Sequence, residues 1–213
     1  MDCNVKTILE KKIQKTIENL KKNRMGAFYC PTSKDAVKCA RGLLKDGDVV
    51  TNGGSMTLRE AGIIDLLKSG RYTYLDRDEP GLSPERKGEI LRRAFSADCY
   101  FTSANAVTEE GELYCVDGNG NRIAAMIFGP RQVIVVAGYN KIVTDLHAAE
   151  DRIRSLAAPA NAARLGLNNP CVKTGSCADC RLDSRICSIY TRFGHQSNDG
   201  RITVLLVGEE LGY

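Results

Sequence analysis

The stretch QVIVVA, residues 132–137, holds five apolar side chains in six positions, three of them valine. A run this short, β-branched and apolar throughout, reads as a central strand covered on both faces of a sheet. Outward from it, residues 98–102, 72–75 and 48–51 read as further strands, and RITVLLV at 201–207 as the last one. Helical patterns lie between them. Residues 5–22 put Val5, Ile8, Leu9, Ile13, Ile17 and Leu20 on one stripe. Ser33 reads as an N-cap before KDAVKCARGLLK, and Leu58, Ala61, Ile64 and Leu67 mark the apolar side of the next helix. Ser83-Pro84-Glu85 opens another, with proline in its first turn, and residues 144–156 form a last one. Residues 25–29 form a short apolar run.

Strands that alternate with helices imply an α/β fold of three layers, a mainly parallel sheet with helices on both faces. Residues 112–116 and 123–128 flank Asp117-Gly118-Asn119-Gly120-Asn121, so an antiparallel hairpin is expected there. At 213 residues the chain fits one domain, 1–213, with a cysteine-rich segment at 170–190 inside it.

Composition narrows the function classes. No run is apolar over the length that spans a bilayer, and the first fifteen residues are charged without a signal core. The net charge is +4, and the basic residues at 21–24 and 85–93 alternate with acids as on solvated helix faces. There is no tryptophan and no basic stripe interleaved with aromatics, so neither nucleic acid nor membrane is an expected partner. Nine cysteines is an odd number, and five of them are scattered. That suits a reducing, cytoplasmic setting better than a disulfide framework.

The other four lie in PCVKTGSCADCRLDSRIC, residues 170–187. Cys171, Cys177, Cys180 and Cys187 are spaced C-x5-C-x2-C-x6-C. Soft thiolates so close together most readily make a metal site. One Cys-x-x-Cys knuckle with single cysteines on either side is nearer to ferredoxin-like spacing than to paired zinc knuckles, and both an iron–sulfur cluster and zinc stay open. Lys173, Arg181 and Arg185 would offset the charge of four thiolates. Disulfides or plain buried thiols are the alternatives. His195 is a minor further candidate ligand, and Cys30, Cys39, Cys99 and Cys115 fall in apolar segments as core residues.

VVTNGGSMTLREAGI, residues 49–63, runs strand, glycine turn, helix. Gly53 and Gly54 let a ligand approach the backbone, and Ser55 and Thr57 add hydroxyls at a helix N-terminus. A small phosphate or carboxylate is the ligand expected on Gly53, Gly54, Ser55, Met56 and Thr57. The loop is neither a Walker loop nor a dinucleotide fingerprint, so no nucleotide cofactor is expected. The competing reading is a tight turn with Ser55 as a helix cap. Glu60, one turn further on, is a weak catalytic candidate against a solvated glutamate.

GGSMTLREAGI at 53–63, DGNGNRIAAMIFGP at 117–130, the run from Val133 to Gly166 with its GYNKIV and AAPANAARL phrases, the cysteine stretch and the closing residues 201–213 together resemble the LUD-domain family, named for lactate utilisation. The likeness runs from about residue 5 to the end and is nearest to stand-alone LutC-like proteins. It implies a fold like ribose-5-phosphate isomerase and CoA transferases, with Asn105, Asn140 and Lys141 on ligand loops. The Thr108–Gly111 turn resembles the loop where CoA transferases carry a nucleophilic glutamate, which makes Glu109 and Glu110 weak catalytic candidates. The function this implies is a redox-linked accessory protein of lactate or other organic-acid metabolism, working with redox partner proteins. The alternatives are an isomerase- or transferase-like enzyme with structural zinc, and a metal or redox sensor without catalysis.

Overall fold

The computed structural model describes residues 2–213, and the strand expected at 132–137 lies inside its larger sheet. That sheet has six strands in the order β1 (Gly26–Cys30), β10 (Ile202–Val207), β7 (Gln132–Gly138), β4 (Cys99–Thr102), β2 (Val49–Asn52), β3 (Thr73–Leu75). Every neighbouring pair is parallel. Alternation along β7 decides which layer each side chain joins. Val133 and Val135 meet Ile13, Ile17 and Leu20 of α1 (Cys3–Lys22) and Ile123 and Met126 of α6 (Asn121–Ile127). Ile134 and Val136 face the other way, onto Ala36 and Ala40 of α2 (Ser33–Gly42), Leu58 of α3 (Met56–Glu60), and Ile63 and Leu67 of α4 (Ile63–Leu67). The mainly parallel α/β architecture expected from the alternation is the one observed.

The single helix expected after the glycine turn is two short ones. Gly62 between them sits at φ +74°, a left-handed conformation that favours glycine and stops α3 after five residues. Ser83 caps α5 (Pro84–Arg93) as expected, its hydroxyl accepting from the Arg86 N–H at 3.2 Å. The cap of α2 is Thr32, one residue before the expected Ser33, and it forms a reciprocal pair with Asp35. The helix expected at 144–156 is longer. α7 (Leu146–Arg152), capped by Asp145, runs through a wide turn at Ile153–Ala157 into α8 (Ala158–Arg164). A last short helix, α9 (Pro170–Thr174), opens the cysteine segment.

The second sheet corrects the expected hairpin. Its order is β8 (Ile142–Val143), β5 (Ala106–Thr108), β6 (Leu113–Asp117), β9 (Ile189–Phe193). β6 pairs antiparallel with β5 and β9, and residues 121–127 are helix rather than a returning strand. The reason is local. Asp117 Oδ2 accepts from the N–H groups of Arg122 at 3.1 Å and Ile123 at 3.0 Å, which starts α6. Ala124, Ala125 and Met126 are strong helix formers that continue it. The hairpin is instead β5–β6, closed at Glu109-Glu110-Gly111. The amphipathic stripe of α1 is also corrected at its start. Ile13, Ile17 and Leu20 are buried, whereas Val5 is 56% and Ile8 64% exposed, because the first turns of the helix extend past the body they pack on.

Candidate functional site

All six strands of the larger sheet point the same way, so their carboxyl ends gather loops along one edge, where open α/β sheets bind ligands. β2 delivers Gly53-Gly54-Ser55, β4 delivers Ser103-Ala104-Asn105, and β7 leads through a tight turn to Lys141. These loops border a cleft of about 510 Å³. Its other walls are the turn at 117–121, Asn161 and Arg164, residues 183–186, and Tyr213.

Lys141 forms the base of this cleft and is only 2% exposed. Its ammonium donates to Thr57 Oγ1 at 2.8 Å, Ser103 Oγ at 3.0 Å and the Ala104 carbonyl at 3.3 Å. No carboxylate hydrogen-bonds to it among the described residues. Burial, with Arg152 and Arg122 close by, pulls its pKa from 10.5 down to about 7. A buried lysine with three neutral partners and cationic neighbours is an acid–base group poised at physiological pH.

Arg122 sets the wall above it. Its guanidinium bonds the Asp117 carboxylate, the Ser103 and Val116 carbonyls, and Asn105 Oδ1. Asn105 Oδ1 also accepts from the Val116 N–H at 2.9 Å, which locks the β5–β6 pair to the cleft. Behind Lys141, Arg152 donates to the carbonyls of Asn140 and Asn105, and its second Nη is buried without a partner. The Tyr213 hydroxyl, in the cleft wall, is likewise buried and unpaired. Cations therefore outnumber anions around the cleft: Arg77, Arg122, Lys141, Arg164 and Arg185 face Asp117 and Asp183.

Of the residues expected on ligand loops, Gly54, Ser55, Met56, Thr57, Asn105 and Lys141 line this one cleft. Gly53 does not line it. A Cβ there would meet the Tyr100 hydroxyl at 2.9 Å and Arg122 Cγ at 3.1 Å, so this glycine serves close packing behind the loop. Asn140 is turned away, holding the chain end through Leu211 N–H and the Gly212 carbonyl. Glu60 accepts from the Gly212 N–H at 2.6 Å and is likewise a tether of that segment rather than part of the cleft. The Glu109 carboxylate pairs with Lys12 at 3.1 Å and Lys15 at 3.0 Å and belongs to the docking of α1, while Glu110 joins that docking through its backbone carbonyl, which accepts from Asn23; neither residue lines the cleft. The helix after the glycine turn has only five residues, and Ser55 already accepts from its Leu58 N–H at 3.3 Å. The turn is thus a capped helix start, as the competing reading has it.

The four clustered cysteines border one small depression of about 20 Å³ beside the cleft, with Asn169, Asp179 and Arg185 around them. All four are free thiols, and burial with the neighbouring Cys177 pushes Cys187 up to about 11. No set of three or more histidine, cysteine, aspartate or glutamate side chains among the described residues stands at metal-ligand spacing. His195 lies elsewhere, beside Gln196, whose N–H donates to the Asn23 carbonyl at the end of α1. Cys30, Cys99 and Cys115 are core residues, and Cys39 is half-buried.

Arg122, Arg152, Ser103 and Tyr213 were not singled out by the sequence reading. Arg122 had a local signal, a lone charge on the apolar helix 121–127 directly after a glycine turn. Tyr213 had none, since its place depends on the tail crossing the carboxyl end of β7 beside Asn140 and Thr57.

The LUD-domain family profile matches residues 13–207 of the chain. No curated protein matches it in sequence. Among solved structures, a DUF162 family protein from Deinococcus radiodurans is similar over 95% of this chain and 98% of its own, at 16% identity and a TM-score of 0.52. Partial likeness extends to eIF2B beta from Chaetomium thermophilum, with 53% of this chain and 43% of that one covered at 16% identity and TM-score 0.39. It extends also to ribose 5-phosphate isomerase from Plasmodium falciparum, with 53% and 52% covered at 15% identity and TM-score 0.33.

Proposed function

The chain belongs to the LUD-domain family, and we propose that it binds a small anion, a carboxylate or phosphate, in the cleft above Lys141. The observation that carries this reading is the buried ammonium with three neutral hydrogen-bond partners and no carboxylate hydrogen-bonded to it, Glu60 acting on it only at a distance. Burying an uncompensated charge is costly, and a ligand anion would supply the missing partner. A redox-linked accessory role in lactate or other organic-acid metabolism is the second reading. The cysteine depression beside the cleft favours it.

The test is thermal stabilisation by phosphate, sugar phosphates, CoA and short hydroxy acids, on wild type and Gly54→Val. A Cβ on Gly54 would meet nothing nearer than the Arg77 guanidinium at 3.9 Å, and its φ is not left-handed, so the variant is expected to fold. The branched side chain would project into the cleft and remove the stabilisation. Stabilisation that is equal in both proteins would place the anion elsewhere, and none in wild type would reject the reading.

The pH dependence follows from the depressed pKa of Lys141. The anion needs the protonated lysine, so affinity should be level below about pH 7 and weaken above it, approaching tenfold per pH unit. The ligand-free protein should behave oppositely. Its fold bears the cost of the buried ammonium below about 7 and sheds that cost as pH rises toward 10.5, so stability relative to Lys141→Met climbs through that window. Calorimetric titrations from pH 6 to 9 check the first trend, and denaturant unfolding over the same range checks the second.

A further inference from the structure

We propose that Cys171, Cys177, Cys180 and Cys187 bind one thiophilic metal centre, and that this centre braces the wall of the anion cleft. The coupling, though not the metal site, rests on reading the cleft as a ligand site.

The metal half stands on how the segment is held. Between Thr174 and Ile189 the chain has no regular structure, yet its backbone is pinned to the domain. The buried Asn169 donates to the Ser184 carbonyl at 3.1 Å and accepts from the Ser184 hydroxyl at 2.6 Å. Arg185 donates to the carbonyls of Cys180 and Cys187 and pairs with Asp179 at 2.9 Å. The Cys177 N–H donates to the Arg154 carbonyl at 3.1 Å. These bonds place four thiols around a single depression, while the thiols themselves receive one bond, from the Asp179 N–H to Cys177 Sγ at 3.3 Å. An N–H aimed at sulfur is the outer support that metal-bound thiolates use. The donor set, all soft sulfur with Arg154 and Arg185 adjacent, fits zinc or an iron–sulfur centre rather than a hard cation. Among the described residues the four thiols are not grouped as a ligand shell, so binding has to draw them together. Each ligating thiol exchanges its S–H bond for a bond to zinc, or to an iron of a cluster delivered ready-made, and releases its proton to solvent, which needs no oxidant.

The brace follows from which residues are shared. Arg185 and Ile186 border both the depression and the cleft. Ile186 Cα lies 3.4 Å from where a Cβ on Gly118 would sit, so it rests directly on the cleft turn. On the other side of Cys187, the Ser188 N–H donates to the Asp117 carbonyl at 2.9 Å. Asp117 in turn holds Arg122, and Arg122 holds the Ser103 carbonyl beside Lys141. Drawing Cys187 inward therefore fixes both its neighbours against the residues that shape the ligand site.

The test uses the full chain, reduced and purified without oxygen. Zinc, iron and acid-labile sulfide are measured in wild type and Cys180→Ser. Zn2+ is then titrated into metal-free protein while amide exchange is followed. The proposal expects one centre per chain, as zinc or as iron with sulfide, and at least roughly tenfold weaker Zn2+ binding in Cys180→Ser. It also expects slower exchange at 183–188 and 117–122 when Zn2+ is added to wild type, with no change in the variant. Wild type that neither carries metal nor takes up Zn2+ overturns the site, whatever the variant does. So does Zn2+ binding of equal strength in both proteins. Metal bound at the cysteines with unchanged exchange at 117–122 overturns the brace. None of these readouts depends on an anion binding.

Discussion

Lys141→Met should weaken anion binding by about ten- to a hundredfold, since a charge-assisted hydrogen bond to a buried ion contributes about 1.5–3 kcal/mol. Methionine matches the length of the lysine stem and removes the ammonium, its charge and its three donors together. The partners it leaves are not orphaned. The Thr57 hydroxyl donates to the Leu211 carbonyl at 3.2 Å, and that of Ser103 to the Ala104 carbonyl at 3.3 Å. The ligand-free variant should therefore fold, and at pH 6 should be more stable than wild type, because the cost of a buried ammonium is gone. Calorimetric affinity and unfolding midpoints check the two halves. A variant that binds as tightly as wild type would remove Lys141 from the site.

Arg122→Met should cause the largest loss of stability, about 3–5 kcal/mol, the cost of breaking a buried ion pair from one side. The change leaves Asp117, 9% exposed, without its cation and the Ser103 and Val116 carbonyls without a donor. For a chain of this size the loss corresponds to about 6–20 °C in Tm. The Asp117 carboxylate also caps α6, so helix and cleft wall should loosen together. Thermal unfolding checks the magnitude, and a shift under about 2 °C would mean that Arg122 is not the keystone its bonds suggest.

The sheet was legible because its strands are separated by strong punctuation and have one dominant period each. QVIVVA is buried on both faces as its composition implies. The hairpin at 117–121 was misread because a glycine-rich turn fits a helix start as well as a hairpin, and only the reach of the Asp117 side chain to the next N–H groups decides between them. β5, β8 and β9 escaped notice for a different reason. Segments of two to five residues bear too little periodicity to stand out. At the site, the glycine loop is legible from its place at a strand end, and Lys141 from the family resemblance. Lys141's special state is not, because burial and the approach of Arg152 and Arg122 are long-range facts. Glu60, Glu109 and Asn140 were attractive in sequence as polar residues on loops, and each is spent on holding another segment.

The central claim is that an anion meets Lys141 and raises its proton affinity. Calorimetry of the tightest panel ligand at pH 8.5, in buffers of differing ionisation enthalpy, counts the protons taken up on binding. Wild type should take up close to one proton per anion, and Lys141→Met should take up none. Binding by wild type without proton uptake would contradict the claim.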